Sequence, residues 1–159
     1  MPHAPTNGIV TFYEDSGAGS AVVLIHGHST DLRLWDTQVG PLTDAGFRVV
    51  RYDVRGHGRS TVTERGYTWE NYALDLRDLL DHLGIASASL VGLSMGGGIA
   101  LAVAVMFPER VASLVLADSA LPGFGYSDDF SQEVEELVAA VRAEGPRSVT
   151  VLRPWPRTS

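Results

Sequence analysis

Apolar and polar positions along this chain switch repeatedly between short unbroken runs and a helical period. After a polar start, Gly8–Tyr13 (GIVTFY) is dense in β-branched and aromatic residues and predicts a strand, closed by turn residues at Asp15–Ser20 (DSGAGS). Val22–Ile25 (VVLI) is continuously apolar, the pattern of a strand covered on both faces in a parallel sheet. Asp36–Ala45 predicts a helix ending at Gly46, and Arg48–Tyr52 (RVVRY) the next strand. Thr68 is placed to cap a helix that runs to Leu83 and stops at Gly84. In that helix Tyr72, Leu76, Leu79, Leu80 and Leu83 share one face, and Asp75, Asp78 and Asp81 fall off it. Ser87–Leu93 (SASLVGL) predicts a strand, Gly96–Phe107 a small-residue helix stopped by Pro108, and Val111–Leu116 (VASLVL) a further strand. This alternation calls for an α/β fold, a mostly parallel sheet with helices on both faces and right-handed crossovers.

The pattern changes after Asp118. Leu121–Ser127 (LPGFGYS) predicts a loop, and Val134, Leu137, Val138 and Val141 keep helical spacing with Glu133, Glu135 and Glu136 outside it. Val149–Ser159 (VTVLRPWPRTS) has no usable period and predicts an irregular tail. The expected division is therefore 1–120, 121–148 and 149–159.

Composition narrows the chemistry. A chain of 159 residues suits one domain that buries about 70% of its unfolded surface. There is no cysteine, which removes disulfides, thiolate zinc sites and cysteine nucleophiles. All 12 basic residues are arginine, so phosphate-loop and Schiff-base lysines are excluded too. A net charge of −7 argues against nucleic acid or an anionic membrane as partner. The first twenty residues lack a basic start and a long apolar run, so no signal peptide is expected. The longest apolar run, Ile99–Phe107, is about half a membrane span. A soluble, cytoplasmic protein without metal or cofactor is the expectation.

The chemically informative stretch is Gly92-Leu93-Ser94-Met95-Gly96, a G-x-S-x-G between a predicted strand and a predicted helix. A turn sharp enough to lift a serine hydroxyl above the sheet needs small residues two positions to either side, and it aims the helix's free N–H groups at that hydroxyl. Ser94 as an ordinary helix cap is the simpler alternative. A dinucleotide fingerprint fails, because Ser94 stands where the second glycine is needed.

Two more stretches follow predicted strands: His26-Gly27-His28-Ser29 and Asp53-Val54-Arg55-Gly56-His57-Gly58-Arg59-Ser60. With GLSMGG and Pro108-Glu109-Arg110-Val111, they resemble the α/β-hydrolase fold family in its cofactor-free esterase, lactonase and haloperoxidase-like branch. The resemblance runs from about Gly8 to Leu121. It implies Ser94 as nucleophile, with the backbone N–H groups of His28 and Met95 as an oxyanion hole. The His28 side chain is a candidate to face the pocket. His26 and His57 are expected to brace loops, with Asp53 and Arg55 as structural partners, His82 to suit a helix C-terminus, and His3 to lie in an unstructured start.

The same resemblance exposes a gap. The family's order is serine, acid, histidine, yet no histidine follows His82 here. Asp118, just after VASLVLA, is a candidate acid, with a plain loop or cap aspartate as the favoured alternative. The expectation is an N-terminal portion that stops after the family's sixth strand and the start of its helical cap, residues 121–148, where Phe124, Tyr126, Phe130 and the helix around Val134–Val141 represent the pocket, with plain packing as the equal alternative for the aromatics. Val111–Leu116 then becomes an open apolar edge that invites self-association. The expected function is a serine hydrolase of small esters or lactones, impaired for want of the histidine. A non-catalytic small-ligand-binding stub is the alternative, and a nucleotide-binding module ranks last.

Overall fold

A computed structural model describes residues 2–120. Six strands form one sheet: β1 (His3–Thr6), β2 (Ile9–Ser16), β3 (Ala21–Ile25), β4 (Arg48–Tyr52), β5 (Ala88–Leu93) and β6 (Val111–Ala117), in the order β1-β2-β4-β3-β5-β6. The helices are α1 (Asp36–Asp44), α2 (Trp69–His82) and α3 (Met95–Met106). Strands β4, β3, β5 and β6 pair in parallel, as the alternating pattern requires.

The N-terminal edge departs from expectation. Residues His3–Thr6 are a strand, not an unstructured start, and pair antiparallel with β2, which itself runs antiparallel to β4. The joint is Asn7-Gly8, with φ of 38° and 78°, a two-residue hairpin turn whose signal is plain in the sequence. Pro5 is tolerated because β1 is an edge. Strand β2 also extends to Ser16, so the turn begins at Gly17 rather than Asp15.

The core lies on both faces of the sheet. Successive residues of a strand point to opposite sides, which is why VVLI is buried throughout. Val23, Ile25, Val50, Tyr52 and Leu90 face Leu76, Leu79 and Leu80 of α2 and Ile99 and Val103 of α3. Val22, Leu24 and Val49 face the other way, toward Trp35, Val39 and Leu42. The Thr68 side chain caps α2 as expected, accepting from the Asn71 N–H at 3.3 Å.

Asp75, off the apolar face of α2, is nevertheless buried. Arg55, from the loop after β4, reaches it with Nε–Oδ2 at 2.8 Å and Nη2–Oδ1 at 2.6 Å, and also donates to the Asn7 carbonyl at 3.0 Å. Burial pushes the Asp75 carboxyl up against the pull of the Arg55 guanidinium. A helical period sees only one helix; the partner that makes this burial tolerable comes from elsewhere in the chain.

Among the described residues, β6 is the other sheet edge, with Leu114, Val115 and Leu116 exposed. No helix among them is long and apolar enough to cross a membrane. The expected loop and helix of 121–148 and the tail of 149–159 lie outside the described residues.

Candidate active site

Ser94 stands at the joint between β5 and α3 with φ 52° and ψ −114°. A helix cap normally adopts extended backbone and bonds its side chain to the first turn. Ser94 does neither: its side chain makes no cap hydrogen bond. The flanking glycines are required by space. A Cβ on Gly92 would run into the Gly96 carbonyl, and one on Gly96 would run into the Ile25 carbonyl oxygen at the end of β3. The Ser94 N–H donates to the Ala117 carbonyl at 2.9 Å, and its carbonyl accepts from the Ala120 N–H at 3.0 Å. The elbow is thus pinned to the end of β6.

The sequence-derived oxyanion donors lie on the two segments that meet here. Met95 is the first residue of α3, where backbone N–H groups have no partner within the helix. Gly27 lies against the elbow: a Cβ there would sit 3.6 Å from that of Ser94. His28 follows it in an exposed turn, before Ser29 at φ 62°. The His28 N–H forms no backbone hydrogen bond with another described residue.

The imidazoles cluster more than their separate motifs suggest. His57 lies edge-to-face between His26, at 5.2 Å between ring centroids, and His28, at 5.6 Å. His26 is fully buried and braces the loops. Its Nε2 accepts the Val54 N–H at 2.9 Å, which assigns the proton to Nδ1, 2.8 Å from the Gly27 carbonyl oxygen. Burial lowers its pKa, outweighing the Gly27 bond. The partly covered ring of His28 is lowered too, by burial first and then by His57. His57 Nδ1 lies 3.0 Å from the Arg55 carbonyl oxygen.

Asp53 holds backbone rather than a ring, accepting the N–H groups of Leu32 at 2.9 Å and Arg59 at 2.8 Å. Asp118 is exposed in the turn after β6, with φ 44°. Among the described residues, none of the imidazole hydrogen bonds reaches it. No group of three His, Asp or Glu side chains there is arranged to hold a metal. One feature escaped the sequence reading. Tyr67, Trp69 and Tyr72 join Met95 around a cavity of about 440 Å³, and the signal for it was the aromatic density of YTWENY.

A sequence profile for the alpha/beta hydrolase fold matches residues 20–144. The chain belongs to the alpha/beta hydrolase fold family. It is similar to a non-heme chloroperoxidase of Kitasatospora aureofaciens, 43% identical over 99 residues, covering 62% of this chain and 36% of that protein. Among solved structures it resembles a thermophilic esterase from Thermogutta terrifontis, with 36% identity, a TM-score of 0.79, and coverage of 91% of this chain and 54% of the esterase. It also resembles Est816, described as an N-acyl homoserine lactone degrading enzyme, at 29% identity and TM-score 0.74, covering 92% of this chain and 61% of that one. The chain spans about half the length, or less, of the curated relatives it matches first. The hydrolase fold therefore accounts for the parallel sheet, the elbow and the loop after β3 together.

Proposed function

We propose that this chain carries the nucleophile half of a serine hydrolase acting on small esters or lactones. The observation that carries the reading is the backbone of Ser94, turned to φ 52° and ψ −114° at a strand–helix joint where neither Gly92 nor Gly96 has room for a side chain. Ser94 Oγ attacks the ester carbonyl carbon, and its proton passes to solvent water. The N–H groups of Met95 and His28 receive the oxyanion; removing one such donor costs about 10²–10³ in rate. The alcohol leaves with a proton, and water then releases the acyl group from Ser94. The esterase and lactone-degrading relatives support this substrate class.

The base is the weak step in the 159-residue chain. Its five histidines all precede Ser94. His26 has both ring nitrogens engaged, and the His57 Nδ1 faces a carbonyl. Removing the histidine from a serine hydrolase lowers turnover on the order of 10⁶-fold. We therefore place Ser94 acylation within reach and rapid turnover outside it. The engaged imidazoles favour one second reading, a stub that binds small ligands without reacting.

Incubation with 4-nitrophenyl acetate tests both, beside Ser94→Ala. The expected result is one acetyl group on Ser94 by mass spectrometry, slow turnover, and no acetyl group on the variant. If the chain and its variant are equally inert, the nucleophile reading fails and the binding stub stands. Rapid turnover that needs Ser94 sinks the impairment instead, and His28 and His57 become the residues to replace.

A further inference from the structure

We propose that the cavity between the start of α2 and the start of α3 seats a neutral aromatic group, the aryl portion of the ester in the hydrolase reading on which that assignment rests. The cavity is lined by Tyr67, Thr68, Trp69, Glu70, Tyr72 and Met95. Its volume of about 440 Å³ lies within the range of small-molecule sites, about 300–1,000 Å³. A cavity of about 150 Å³ already admits benzene.

Met95 ties the cavity to the chemistry. Its backbone N–H adjoins the nucleophile, while its buried side chain forms one wall, and thioethers pack well against ring edges. A ring held there is one residue from Ser94. The aromatic walls are also held in place before any ligand arrives. Trp69 packs over Gly98, where a Cβ would approach its ring to 2.7 Å. Trp69 and Tyr72 meet edge-to-face at 6.1 Å. The Tyr67 hydroxyl donates to the Thr63 carbonyl at 2.7 Å and accepts the Thr63 N–H at 3.0 Å. Walls fixed in advance lower the ordering cost of binding.

Glu70 is the one charged residue among the described lining, and the walls otherwise present rings, a thioether and a hydroxyl, which favours a neutral ring over an ion. Glu70 lies in the first turn of α2, where the positive helix end offsets a carboxylate. The Thr68 hydroxyl is occupied as the cap, and nearby Arg55 is paired with Asp75.

The test uses the full chain carrying Ser94→Ala, so that no covalent step intervenes. Benzyl alcohol, n-butanol and benzyltrimethylammonium are titrated by calorimetry. Benzyl alcohol is expected to bind at least about fivefold more tightly than butanol, within the range for one aromatic pair. Trp69→Leu and, independently, the more exposed Tyr67→Leu are expected to remove that preference. The proposal is overturned if benzyl alcohol and butanol bind alike, if the preference survives both substitutions, or if the ammonium ion binds best. Acetylation of Ser94 in the parent chain reads the hydrolase proposal separately. Benzyl alcohol binding without any acetylation leaves the aromatic seat standing and removes only the ester from it.

Discussion

Replacing Ser94 with glycine should abolish acylation and stabilise the fold. A non-glycine residue held in so sparsely populated a backbone region costs about 1–3 kcal/mol. Ser94, at φ 52° and ψ −114°, is such a residue. Glycine adopts that conformation without a Cβ conflict, but it loosens the unfolded chain by about 0.4–1 kcal/mol. The hydroxyl makes no cap hydrogen bond, so removing it loses little. Ser94→Ala is the control, since it deletes the hydroxyl yet keeps the Cβ and the strain. The net expectation is that Ser94→Gly exceeds Ser94→Ala by about 1 kcal/mol. For a chain of this size that is about 2–4 °C in Tm. Urea melts read the difference directly, provided the slope stays the same in both variants. If the glycine variant is no more stable than the alanine variant, the elbow is not strained and the geometric argument for Ser94 loses its energetic half.

Asp75→Leu should destabilise the fold by about 3–5 kcal/mol by leaving a buried guanidinium without its partner, while the double variant Arg55→Met/Asp75→Leu recovers most of that loss. Urea melts of the three variants check this, and a double variant as unstable as the single one refutes it. His26 should make the fold acid-sensitive. Burial holds its folded pKa below the ordinary 6.5, so the unfolded chain takes up the proton first as pH falls. Its contribution is complete above about 6.5 and is lost as pH falls through the lowered folded value. His26→Ala should cost about 1–3 kcal/mol at pH 7.5 by orphaning the Val54 N–H, and should flatten the decline in stability toward acid pH while leaving the part due to His28. An unchanged pH slope in urea melts refutes the assignment.

The element order and the elbow were legible in the sequence because they are local. VVLI, RVVRY and VASLVL carry their β-branched and apolar signal in consecutive residues, and each is a sheet strand within a residue or so of its expected bounds. Thr68 and Gly84 mark the ends of α2 through capping chemistry that spans a few positions. G-x-S-x-G likewise encodes its own sharp turn, since the clash that forbids a side chain at Gly92 is with Gly96 of the same motif and with Gly97 next to it. The hairpin of β1 and β2 was equally local, in Asn7-Gly8, but its short strand carries little apolar signal.

What the sequence left undecided depends on partners distant along the chain. The periodicity of α2 puts Asp75 off the apolar face, and only Arg55, twenty residues earlier, makes its burial tolerable. His26, His28 and His57 sit in separate motifs, and the parallel pairing of β3 with β4 is what brings their rings together. Trp69 and Met95 begin different helices, and the packing of α2 on α3 gathers them around one cavity. Local sterics and hydrogen bonding along a few residues determine the turns and the elements. Long-range packing decides which charges are buried, which imidazoles are held below their ordinary pKa, and what stands beside Ser94.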